Sequence, residues 1–113
     1  MGPRESSEAK ILSIRTFYRF TSLLESELLS LQKRYEEAGL KNELKGTVLL
    51  SEEGCNGTIA GLQTDLDVFW SVLQERFPGL HGQDSYSEFQ PFKRWKVPLK
   101  KQIVQGRDLE LRE

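Results

Sequence analysis

The sequence has one cysteine and one histidine in 113 residues. A single cysteine cannot close an internal disulfide. Cys55 and His81 together make neither a metal cluster of useful spacing nor a Ser-His-Asp set with three convincing partners. Long apolar runs are absent, which excludes a membrane-spanning helix. Residues 1–8 (MGPRESSE) lack the apolar middle of a signal peptide. These absences lead us to expect a cytoplasmic domain with no metal and no cofactor. Apolar residues are only 37% and charged residues 29%, so the core is small. A single domain of this length still buries well over half of its unfolded surface and needs no staple. One further absence is local. From Phe89 to Arg107 there is no acidic residue, while Lys93, Arg94, Lys96, Lys100, Lys101 and Arg107 are basic.

That local absence is hidden by a formal net charge of −1. The rest of the chain holds 10 basic and 17 acidic residues, so one surface should be positive and attract polyanions. Phe89, Phe92, Trp95, Val97 and Leu99 are interleaved with the cations, which a disordered basic tail would lack. The segment therefore reads as part of the fold. A solvated face or a lysine-protected edge strand accounts for it equally well.

Alternation over Lys10–Phe20, with Leu12, Ile14, Thr16, Tyr18 and Phe20 against Ser13, Arg15, Phe17 and Arg19, predicts a strand. Ser22-Leu23-Leu24-Glu25 has the pattern of a capping box. Leu24, Leu28, Leu31, Tyr35 and Ala38 make one apolar helical face over 23–38, with Gly39 as the C-terminal stop. Residues 46–51 and 55–60 predict a hairpin turning at Glu52-Glu53-Gly54. Thr64 is the expected N-cap of a second helix bearing Leu66, Phe69, Trp70, Leu73 and Phe77, ended by Pro78-Gly79. At least one more strand is expected within 82–98, where Phe92, Arg94, Lys96 and Pro98 alternate with Lys93, Trp95, Val97 and Leu99. Pro98 places that strand at an edge or at its own end.

The order strand-helix-strand-strand-helix-strand defines an α+β class of ferredoxin-like βαββαβ topology. Its expected form is a four-stranded antiparallel sheet with two helices on one face and the other face open. Residues 1–8 read as a leader, 9–106 as the domain, and 107–113 as the start of a linker or a frayed end. His81 reads as an exposed turn residue. Cys55 reads as a small half-buried strand residue rather than a nucleophile, since Glu52 and Glu53 would raise its pKa. In Glu53-Gly54-Cys55-Asn56-Gly57-Thr58 the glycines permit close approach, and Glu53 and Asn56 can present an acceptor and an amide to a substrate or a neighbouring domain. A tight bulged hairpin is the structural alternative.

Three runs carry a resemblance: Phe17-Tyr18-Arg19-Phe20, Gly46–Gly61 (GTVLLSEEGCNGTIAG) and Pro91–Val104 (PFKRWKVPLKKQIV). In order and spacing they resemble the N-terminal domain of the rhodanese-domain tRNA uridine hydroxylases, over about residues 10–106. Cys55 departs from that pattern, where Ile is commoner, as does Gln102, where a charged residue is commoner. The resemblance implies an acylphosphatase-like fold. It also implies a whole protein that converts a wobble uridine of tRNA to 5-hydroxyuridine with oxygen, through a cysteine in a following rhodanese domain. This chain alone would then not be catalytic. Lys93, Arg94, Lys96, Lys100 and Lys101 are the expected tRNA contacts, and Glu53, Gly54, Asn56, Gly57 and Thr58 the expected contact with the rhodanese domain. Two other readings stand beside this one. The first is an interaction module that docks the rhodanese domain or a second copy. The second is an acylphosphatase-type hydrolase, for which Arg19 and Asn56 are the only candidates.

Overall fold

The computed structural model describes residues 11–100. The leader expected over 1–8 and the linker expected over 107–113 lie outside the described residues. Along the chain come β1 (Leu12–Phe20), α1 (Glu25–Lys41), β2 (Lys45–Ser51), β3 (Gly54–Gly61), α2 (Gln63–Arg76), β4 (Gly82–Ser87) and the two-residue β5 (Trp95–Lys96). The sheet order is β4-β1-β3-β2-β5. The first four strands in that order pair antiparallel, as the ferredoxin-like topology requires. The sheet is nevertheless five-stranded and mixed, not four-stranded and antiparallel, because β5 runs parallel to β2.

A strand expected within 82–98 does pair with β1, but it is not the alternating stretch from Phe92 to Leu99. The place beside β1 is taken by Gly82–Ser87, a sequence almost wholly exposed and without apolar alternation. Besides its six-position backbone ladder with β1, a polar side-chain anchor holds it. Arg15 and Asp84 are cross-strand partners. The Arg15 guanidinium donates from Nε to Asp84 Oδ1 at 2.7 Å and from a terminal nitrogen to Oδ2 at 3.0 Å. It also reaches Asp67 of α2 at 3.5 Å and lies 4.8 Å from the centroid of the Trp70 ring. The neighbouring carboxylates hold the Arg15 pKa above its ordinary value, with the Asp84 hydrogen bond the largest cause.

Both helices cover one face of the sheet. Phe17, Val48, Leu50 and Ile59 from the strands meet Leu28, Tyr35, Leu66, Phe69 and Leu73 from the helices in one core. The β1 residues on this side are Ser13, Arg15 and Phe17. Its more apolar set, including Tyr18 and Phe20, faces the other way.

Three local expectations change. Helix α1 is capped at Leu24, whose N–H donates to the Glu27 carboxylate at 2.9 Å, rather than by a box on Ser22–Glu25. Gly39 does not stop α1, which continues to Lys41; the positive φ comes at Glu43. The reason is tertiary: a Cβ on Gly39 would lie 1.9 Å from the Trp95 ring, so the glycine makes room for that indole. Helix α2 is capped at Leu62, not Thr64. The hairpin is regular, with Ser51 opposite Gly54 and no bulge.

Candidate nucleic-acid interface

The segment after β4 crosses to the far edge of the sheet and lies along β2. The Gly46 N–H donates to Arg94 O at 2.8 Å, Leu50 N–H to Pro98 O at 3.0 Å, and Lys100 N–H to Leu50 O at 2.8 Å. Proline lacks an N–H, so Pro98 fits on an outermost strand where only its carbonyl is needed. Trp95 anchors the segment. Its Nε1 donates to Tyr35 O at 3.2 Å, and its ring meets Phe69 edge-to-face at 5.2 Å. Val97 is buried, and its carbonyl accepts from the Gln32 amide at 2.8 Å.

Trp95 and Val97 point to the helices, so alternation within the two-residue strand turns Lys96 away from them. Lys96 is the register partner of Thr47. Lys93, Arg94, Lys96 and Lys100 are exposed and have no ion pair among the described residues. Lys101 lies outside the described residues.

The open face is a concavity of about 670 Å³. Lys100 and Phe92 line it on the β5 side. Across it lie Thr47, Leu49 and Ser51 of β2, Asn56 and Thr58 of β3, and Thr16, Tyr18 and Phe20 of β1. The structure thus brings the hairpin residues Glu53, Gly54, Asn56, Gly57 and Thr58 into one surface with Lys100. Lys93, Arg94 and Lys96 do not line it. Sequence reading passed over Tyr18 and Phe20 as site residues, although they are 68% and 80% exposed. Their rings lie 5.6 Å apart at 51°. Alternation in β1 puts them on one face; nothing local says which face the helices leave bare.

The glycines of the hairpin have a structural explanation. Gly54 has φ 138°, and a Cβ there would lie 2.0 Å from Arg19 O; one on Gly57 would lie 2.3 Å from Thr47 O. Strand spacing therefore demands both, leaving Asn56, Thr58 and Glu53 as the members that can face a partner. Cys55 is buried, not half-buried. Burial, rather than the adjacent carboxylates, pushes its thiol up to about 12, with Arg19 pulling weakly the other way. His81 is exposed, as expected.

Burial also raises the Tyr35 pKa, helped by nearby Cys55. The Tyr35 hydroxyl has no hydrogen-bond partner among the described residues. An unfolded chain releases protons from Cys and Tyr at about pH 8.5 and 10. The folded chain holds them, so stability is full below about pH 8.5 and falls as pH rises from there toward about 12. Tyr35→Phe should make that fall shallower. It should also raise stability at neutral pH by about 1 kcal/mol, because an unpaired buried hydroxyl is removed. Urea midpoints at neutral and alkaline pH test both, and a lowered midpoint with an unchanged alkaline slope would refute them.

The described residues form an α+β domain with a polar and aromatic sheet face left open by the helices and exposed cations along its β5 edge. The sequence matches the UPF0176 acylphosphatase-like domain over residues 12–103, and the chain belongs to that family. Relatives named tRNA uridine(34) hydroxylase include one from Ehrlichia ruminantium (strain Welgevonden), 40% identical over 80% of this chain and 34% of its own length. One from Neorickettsia sennetsu (strain ATCC VR-367 / Miyayama) is 42% identical over 79% of this chain and 32% of its own. One from Legionella pneumophila (strain Corby) is 36% identical over 84% and 37%. The chain spans roughly a third of the length of these relatives. Among solved structures, the dark state of the BLUF protein BlrB has a TM-score of 0.65 at 13% identity, covering 82% of this chain and 74% of that one. Full-length HypF has a TM-score of 0.57 at 16% identity, covering 86% and 13%. These two likenesses bear on the fold alone. No helix among the described residues is long and apolar enough to cross a membrane.

Proposed function

We propose that this chain is the tRNA-binding accessory domain, spanning residues 9–106, of a cytoplasmic protein that hydroxylates a wobble uridine. A rhodanese domain following it would carry the catalytic cysteine. In this reading Arg94, Lys96 and Lys100 hold phosphates, with Lys93 and Lys101 beside them, and Glu53, Asn56 and Thr58 meet RNA or the rhodanese domain. The observation that carries it is the rim: exposed cations without ion pairs among the described residues, on a segment fixed to β2 by backbone hydrogen bonds, with Lys100 lining the open face. Cations held on one surface neutralise phosphates and make binding salt-dependent.

Filter binding of an unmodified tRNA transcript tests this. Lys96→Glu and Lys100→Glu should each weaken binding several-fold and lower the log-log salt slope by about one per lost phosphate contact. A folded sample without tRNA affinity at low salt would sink the proposal.

Docking of another domain or a second copy is a second reading, supported by the two thirds of each relative's length that this chain does not span. Concentration-dependent sedimentation without RNA binding would favour it. Acylphosphatase chemistry gains no support from the β1–α1 loop. There the Thr21 and Leu23 N–H groups already donate to Glu53 O and Glu52 O, and Arg19 donates to Pro78 O. A phosphate cradle needs such donors free.

A further inference from the structure

We infer that the open sheet face takes unpaired RNA, with two bases stacked on Tyr18 and Phe20, and that it does not take duplex. The inference rests on the RNA reading above and names the form of RNA that the same surface accepts.

Three observations converge on it. First, Tyr18 and Phe20 are large rings left 68% and 80% exposed on a face the helices do not cover. Exposed rings on a sheet cost solubility and gain nothing for the core. They are suited to the π-faces of bases, which are accessible only where a strand is unpaired. Second, the Asn56 amide is exposed beside Tyr18, its cross-strand partner, and has no hydrogen bond among the described residues. An amide carries both donors and an acceptor, the complement of a base edge. Thr16 and Thr58, 3.4 Å apart through their hydroxyls, continue the polar surface beside it. Third, among the described residues the exposed cations Lys96 and Lys100 lie at the β5 edge, and Lys100 lines the concavity. A single strand would run its phosphates past Lys96 and Lys100 and turn its bases inward across β2 and β3 to the rings on β1. In a duplex the bases are stacked on each other and cannot meet the rings. A protein partner could also match the rings, and the test below separates it from RNA.

The test uses the whole 113-residue chain and two labelled probes at one salt concentration: an oligouridine about ten nucleotides long, and a blunt duplex of similar length. The single strand should bind at least about tenfold more tightly than the duplex. Tyr18→Leu and Phe20→Leu keep an apolar side chain at an exposed position and should each weaken single-strand binding roughly 5- to 100-fold. Neither should change the salt slope, because neither removes a charge. Tyr18→Phe keeps the ring and should keep the affinity.

Equal binding of duplex and single strand would overturn the inference. So would ring variants within about twofold of the unaltered chain. If tRNA binding survives those results and still responds to Lys96→Glu, the tRNA reading stands and only the stacking surface falls. Absence of any RNA binding at low salt overturns both. Ring variants that abolish self-association while RNA binding is unchanged would assign the face to a protein partner instead.

Discussion

Trp95→Ala is expected to destabilise the domain by about 3 kcal/mol, the lower end of the cost of truncating a large aromatic to alanine. The lower end applies because Trp95 is only partly buried. The indole is the strongest side-chain tie between the basic segment and the body of the fold. It lies against Gly39 on α1, meets Phe69 of α2 edge-to-face, and donates to Tyr35 O. β5 itself is two residues long, too short to hold by pairing alone. Loss of the ring should therefore free Arg94–Lys100 before it disturbs the helices. Circular dichroism should keep its helical signal while the urea midpoint drops. If Arg94, Lys96 and Lys100 bind phosphate, tRNA affinity should fall with the midpoint, although no charge has been removed. Gly39→Ala offers an independent route to the same result. A methyl there normally favours a helix by about 1 kcal/mol; here it collides with the indole, so the expected sign is reversed. A stabilised Gly39→Ala, or Trp95→Ala with an unchanged midpoint, would show that the segment is held by something else.

Asp84→Ala should cost a comparable amount, about 3 kcal/mol, by leaving a buried guanidinium without its main partner. Arg15 has a side chain only 10% exposed, and Asp84 supplies two of its hydrogen bonds. Asp67 at 3.5 Å and the Trp70 ring remain, so the loss is partial. The effect should concentrate on β4, whose exposed residues give it little other purchase on the core. Hydrogen exchange should then show protection lost first across the β1–β4 ladder. Arg15→Met combined with Asp84→Ala should recover much of the stability, since an apolar pair of similar volume carries no desolvation cost. A double-mutant cycle measures the coupling. Additive effects of the two substitutions would mean that the ion pair does not hold the strand.

These two anchors also mark where sequence reading stops. Both helices were legible, because Leu28, Leu31, Tyr35 and Ala38 repeat at helical spacing, as do Leu66, Phe69, Leu73 and Phe77. The β2–β3 hairpin was legible because a turn separates two short runs of strand character. β4 was not, because it has no apolar alternation: it is held by backbone pairing with β1 and by the Arg15–Asp84 contact between positions 69 residues apart. Gly39 read as a helix stop because local rules assign glycine that role. Its real constraint is an indole from a residue 56 positions later.

The candidate site divides in the same way. Composition alone placed six cations in an acid-free stretch, and alternation alone put Tyr18 and Phe20 on one side of β1. The sequence by itself determined the order β1-α1-β2-β3-α2 and the segregation of charge, since both follow from local periodicity and residue type. Only the tertiary structure decided that the basic segment leaves the β4 edge and runs parallel to β2. Only it decided that the rings of β1 lie on the uncovered face. Strand neighbours and the choice of covered face come from pairings between distant residues, and a periodic pattern marks two faces without saying which one the helices will take.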